Sequence, residues 1–93
     1  MDIPLIEQAL VQEQFLFTEH ALEQIAKRGL SELEVRQILV APETIMLVRE
    51  GRVVAQAMLE DYLVRVFVDV DRHPFEVVTA YRTSKIDRYR SLP

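Results

Sequence analysis

The stretch Tyr62-Leu63-Val64-Arg65-Val66-Phe67-Val68-Asp69-Val70 decides the fold. β-Branched and aromatic residues fill it, neither glycine nor proline interrupts it, and its period is two. Tyr62, Val64, Val66, Val68 and Val70 fall on one face, and Leu63, Arg65, Phe67 and Asp69 on the other. Similar runs flank it. Ile45–Arg49, Arg52–Leu59 and Phe75–Arg82 are set off by Glu50-Gly51, Glu60-Asp61 and Asp71-Arg72-His73-Pro74. Connections that short join antiparallel neighbours, which predicts a four-stranded meander over residues 44–82. In the last strand Phe75, Val77, Thr79 and Tyr81 should oppose Glu76, Val78, Ala80 and Arg82.

Ahead of the sheet the period is helical. Asp2 as a cap, Pro4 in the opening turn, and Ile3, Ile6, Ala9 and Leu10 at helical spacing predict a helix within residues 1–14. Phe15-Leu16-Phe17 reads as a brief extended segment. Thr18 then caps a second helix that runs to Arg28 and ends at Gly29, with Phe17 and Leu22 as a hydrophobic staple. Ser31 and Glu34 form a capping box and Leu30 and Val35 a second staple; Pro42 stops this third helix near Val40. Residues 15–41 are thus a helical hairpin or corner. The tail, residues 83–93, adds a helical turn that Ser84 and Asp87 are placed to cap. The whole is one α+β domain over residues 1–93, with helices on an antiparallel sheet in two layers.

Composition narrows the function classes. The 93 residues include no cysteine, which removes disulfide scaffolds, thiolate catalysis and cysteine-bound metals. His20 and His73 are the only imidazoles and share no ligand spacing, so neither a metal nor a cofactor is expected. No apolar run approaches the roughly 18–20 residues of a membrane helix, and no basic leader precedes Ile3, so a cytoplasmic setting without membrane contact is expected. A net charge of −4 weighs against a dedicated nucleic-acid binder. That charge is uneven: residues 1–44 carry −5, whereas Arg82, Lys85, Arg88 and Arg90 against Asp87 give residues 82–90 a charge of +3.

Two groups of residues carry chemistry. His20 falls at the second position of the second helix, where the dipole disfavours an added positive charge. A neutral imidazole there can take a proton from a hydroxyl beside a bound anion, or simply stand at the surface. Gln24, Lys27 and Arg28 continue its stripe, opposite Ala21, Leu22, Ile25 and Ala26, which are expected to face the core. Arg28, about 12 Å further along the axis at 1.5 Å per residue, reads equally as a phosphate contact and as a cation favoured by the helix C-terminus. The second group is Thr79-Ala80-Tyr81-Arg82-Thr83-Ser84-Lys85, where Arg82 and Lys85 suit phosphates and Tyr81 suits proton donation or base stacking. Its plainer reading is a polar edge strand followed by a turn. Arg65, alone among valines, calls for a partner, and Asp69 on the same face is the expected one.

Phe17-Thr18-Glu19-His20-Ala21, Lys27-Arg28-Gly29-Leu30-Ser31, Ala41-Pro42-Glu43, Gly51-Arg52 and Val78–Tyr89, as an ordered set over about residues 15–90, resemble the domain-of-unknown-function family 4258. That family is similar to the RelE/ParE-like toxins and other small metal-independent ribonucleases, which place helices before an antiparallel sheet. The resemblance implies a toxin-like endoribonuclease paired with a small antitoxin-like protein. Carried over residue by residue, it points to His20, Tyr81 and Arg82 as catalytic and to Arg28, Lys85 and Thr79 as phosphate-binding. The alternative is a non-catalytic interaction module or an inactive relative of such toxins. Open edge strands also leave room for a homodimer.

Overall fold

The computed structural model describes residues 2–90. Helix α1 (Ile3–Val11) opens on Asp2, whose carboxylate accepts from the Leu5 amide, and buries Ile6, Ala9 and Leu10. Helix α2 (Glu19–Lys27) opens on Thr18, whose hydroxyl accepts from the Ala21 amide. Its buried face is narrower than expected: Ala21 and Ile25 are buried, Leu22 is half-buried and Ala26 is exposed. Helix α3 (Glu32–Val40) carries the full capping box between Ser31 and Glu34. Each first turn would otherwise leave amides without partners, so each start is written locally in the sequence. Ser31→Ala should therefore lower stability by about 1 kcal/mol. Urea unfolding checks this, and Ser31→Thr should recover most of the loss.

The sheet has five strands, not four. Strand β1 (Phe15–Phe17) lies parallel to β5 (Phe75–Thr83), with Phe15 opposite Phe75 and Phe17 opposite Val77. Strands β2 (Thr44–Arg49), β3 (Arg52–Leu59), β4 (Tyr62–Asp69) and β5 form the expected antiparallel meander, giving the order β1-β5-β4-β3-β2. Residues 15–17 are thus extended as predicted but are a sheet edge as well as the approach to α2. Arg36 of α3 stands over both rings of β1, 5.3 Å from Phe15 and 5.4 Å from Phe17, and bonds Glu13 and Glu32.

One β-bulge resets the last strand. Val68 pairs with Val77 but Phe67 pairs with Thr79, so Val78 is an extra residue on β5. Phe75 and Val77 face the helices before the bulge, and Ala80 and Arg82, opposite Val66 and Val64, do so after it. Strict alternation over residues 75–82 therefore fails at Val78. Thr79 and Tyr81 turn to the far face, and Arg82 turns to the helices.

The core lies between the helices and one face of the sheet: Leu10, Ile25, Val35 and Leu39 meet Val53, Ala55, Val64, Val66, Val68 and Val77. Helix α2 lies against β5, and α3 against β3 and β4. The tail forms α4 (Ile86–Tyr89) beside the far face. No side chain caps it; Ser84 and Asp87 do not, and Thr83 Oγ1 instead accepts from the Lys85 amide.

Candidate functional site

The end of α2 gathers cations against β5. Arg28 is the C-cap, and Gly29 follows at φ +76°, in the left-handed region that lets the chain turn towards α3. Pairing with β1 stops at Val77, which leaves the outer edge of β5 open beyond it. Arg28 closes that edge: Nη1 donates to Thr79 Oγ1 at 2.9 Å and to the Ala80 carbonyl at 3.2 Å. Arg82 arrives from the strand itself. Its Nη2 stands 2.9 Å from where a β-carbon on Gly29 would lie, so the glycine serves both the turn and the close approach. Its guanidinium lies 4.8 Å over the Tyr62 ring. No carboxylate among the described residues lies within ion-pair distance of Arg28 or Arg82. Arg28 on Thr79 at the β5 edge and Arg82 over Tyr62 thus flank Gly29 with no carboxylate among the described residues within ion-pair distance.

The other expected site residues lie elsewhere. His20 is the second residue of α2, as predicted, and is exposed. It makes no side-chain hydrogen bond among the described residues, and about 12 Å of helix separates it from Arg28. Lys85 is also exposed, and it opens a helix of only four residues. Tyr81 follows Ala80 onto the far face, so the sheet itself lies between its phenol and Arg82. The structure therefore joins Arg28 to Thr79, brings Arg82 to Gly29 beside Arg28 and to Tyr62, and leaves His20 and Tyr81 apart from them. Tyr62 was missed because only strand register shows that it and Arg82 meet on the helix-facing side.

The far face carries a polar row. Thr44, Gln56, Arg65 and Tyr81 are direct cross-strand neighbours on β2, β3, β4 and β5. Arg65 donates from Nε to Gln56 Oε1 at 2.9 Å and from Nη1 to the Tyr81 hydroxyl at 2.7 Å. The Tyr89 ring of α4 covers its guanidinium at 4.2 Å. The expected Arg65–Asp69 pair does not form. Asp69 lies directly opposite Arg52 and accepts from its Nε at 2.7 Å and its Nη2 at 3.2 Å. That bond, more than any other influence, holds the Asp69 carboxyl below its ordinary range. Arg65 instead takes neutral partners, because those sit in its own row and Asp69 stands four residues further along the strand.

Among the described residues no group of three or more histidine, aspartate or glutamate side chains is placed to hold a metal ion. Among the described residues no helix is long and apolar enough to cross a membrane. What fold and site define together is a small two-layer α+β domain with arginines from a helix end and the last strand on one surface. The chain belongs to the family described as Domain of unknown function (DUF4258), whose model matches residues 17–82. Neither the curated proteins nor the solved structures gave a match. The family match runs from β1 to Arg82, so it contains both arginines of the α2 end, while α1 and α4 lie outside it.

Proposed function

We propose that the protein acts on RNA as a toxin-like, metal-independent endoribonuclease, with the α2–β5 surface as its phosphate contact. One observation carries the reading: Arg28, held on Thr79, and Arg82, lying over Tyr62 and against Gly29, stand on either side of that glycine without a carboxylate partner among the described residues. Arg28 spends only Nη1 on the protein, which leaves Nε and Nη2 to meet a phosphate. The order of helices before an antiparallel sheet, expected for the RelE/ParE-like toxins, supports the same reading.

In metal-free cleavage the 2′-oxygen attacks phosphorus and gives its proton to water, and the bond from phosphorus to the 5′-oxygen breaks as that oxygen takes a proton from an acid. The two arginines suit the charge of the phosphorane, and the Tyr62 phenol is the proton-bearing group beside them. His20, on the same helix but about 12 Å off, suits a neighbouring nucleotide better than the reacting one. A small antitoxin-like partner belongs to this reading.

A second reading, an inactive relative that binds without cutting, draws on the separation of His20 and Tyr81 from the arginines. RNA binding and cleavage in the presence of a chelator tell the two apart. Arg82→Ala should weaken binding about tenfold and lower the salt slope by about one. Cleavage that falls in Tyr62→Phe supports the ribonuclease, and binding without cleavage supports the inactive relative. RNA left unbound and uncut by the unmodified protein would overturn both.

A further inference from the structure

The tail is held on the far face by side chains of three kinds. The Tyr89 ring lies on the Arg65 guanidinium at 4.2 Å. The Tyr89 carbonyl accepts from Gln56 Nε2 at 3.0 Å, and Gln56 is only 2% exposed. Arg90 pairs with Glu43 at 2.9 Å, and the other oxygen of that carboxylate accepts from the Met58 amide. A cation for a ring, an amide donor for a carbonyl and a carboxylate for a cation make a complementary seat for an aromatic residue followed by a basic one.

The Tyr81 ring also meets the Tyr89 ring edge-on, with centroids 6.4 Å apart. Helix α4 has four residues, no side-chain cap and no buried residue. A helix of that length has no stability of its own, so its place depends on these side-chain contacts. The Arg90–Glu43 pair is about two-fifths exposed on each side and contributes little. Beside the Tyr89 ring, Glu43, Thr44, Met46, Gln56 and Arg90 line an open cavity of about 440 Å³, enough for a second side chain.

We infer that the Gln56–Arg65–Glu43 seat is a docking site for a partner protein's segment bearing a tyrosine or phenylalanine followed by an arginine or lysine, with Tyr89-Arg90 as the built-in competitor. The charge pattern favours this occupant. Glu43 selects a cation, and Arg65 offers its flat face to a ring because Gln56 and Tyr81 hold its edge. An acidic segment would meet Glu43. The inference is independent of the RNA reading, because it uses the opposite face of the sheet.

The probe is the capped peptide Ile-Asp-Arg-Tyr-Arg, titrated into the full chain and followed by NMR at the Arg65 Nε–H and the Tyr89 ring. The unmodified protein should bind it weakly, with the Tyr89 resonances moving towards solvent-exposed values. Tyr89→Ala should bind it about tenfold more tightly, since the competitor is gone. Adding Arg65→Gln should remove that gain. If Tyr89→Ala does not fold, Tyr89→Leu, which keeps an apolar side chain there but loses the ring's contact with Arg65, should tighten binding severalfold. A peptide with alanine for tyrosine should bind at least tenfold more weakly, and one with glutamate for the last arginine a fewfold more weakly. No binding by the unmodified protein at millimolar peptide would make the tail a fixed part of the fold and overturn the inference. Equal binding of the alanine peptide, or a dimer formed by tail exchange in place of peptide capture, would overturn it too.

Discussion

Ile25→Ala should lower stability by about 2–5 kcal/mol, the cost of a large-to-small change at a fully packed site. Ile25 is 1% exposed and lies on α2 where that helix meets β5. A chain of this length has about 5–14 kcal/mol of total stability, so the loss is a large share of it. The melting temperature should fall by about 8 °C or more. Thermal unfolding followed by circular dichroism checks this, with Ala26→Ser as the control. Ala26 is the next residue of the helix but is exposed, and its change should stay within about 0.5 kcal/mol. Similar melting of the two variants would mean that α2 is not seated on the sheet as described. The consequence reaches the arginine surface, because the seat of α2 on β5 is what brings Arg28 to Thr79 and Gly29 to Arg82.

What the sequence discloses follows the range of the interactions. Caps and turns are local: Thr18 with Ala21, Ser31 with Glu34, and Gly29 at positive φ each act within a few residues, and each could be read directly. The meander was legible because its turns are short and each strand repeats with period two. The fifth strand was not, because Phe15 and Phe75 are partners 60 residues apart and parallel pairing leaves no turn between them. The Val78 bulge was equally silent, since a residue extra to the register looks like any other valine in a strand. It is also what divides the predicted site. With it, Thr79 and Tyr81 leave the helix face while Ala80 and Arg82 join it. Of the expected residues, Arg28 therefore reaches Thr79 only around the open edge of β5, Arg82 lies against Gly29 on the helix side, and Tyr81 belongs to the row around Arg65. The Arg65 partner was misjudged for a related reason. A carboxylate on the same face is the obvious partner for an arginine, but neighbours across strands lie closer than residues four apart along one strand.

Asp69→Asn should cost about 1.5–3 kcal/mol at neutral pH and should flatten the acid limb of the stability curve. Asp69 is 8% exposed, receives two hydrogen bonds from Arg52 across the β3–β4 pair, and has Arg72 at 3.7 Å. The charge of Arg52 is needed for this, and the bond keeps the folded carboxyl ionised to lower pH than the unfolded one. The unfolded chain thus binds the proton first as the solution is acidified. The stabilisation is fully present above the unfolded value of about 3.9 and disappears as pH falls through the lower, folded value. In the unmodified protein, stability to urea should decline steeply below about pH 4. In Asp69→Asn the amide cannot titrate, so the curve should start lower at pH 7 and decline less, and the two should converge at low pH. Parallel curves over that range would show that Asp69 is not the group that gives this fold its sensitivity to acid.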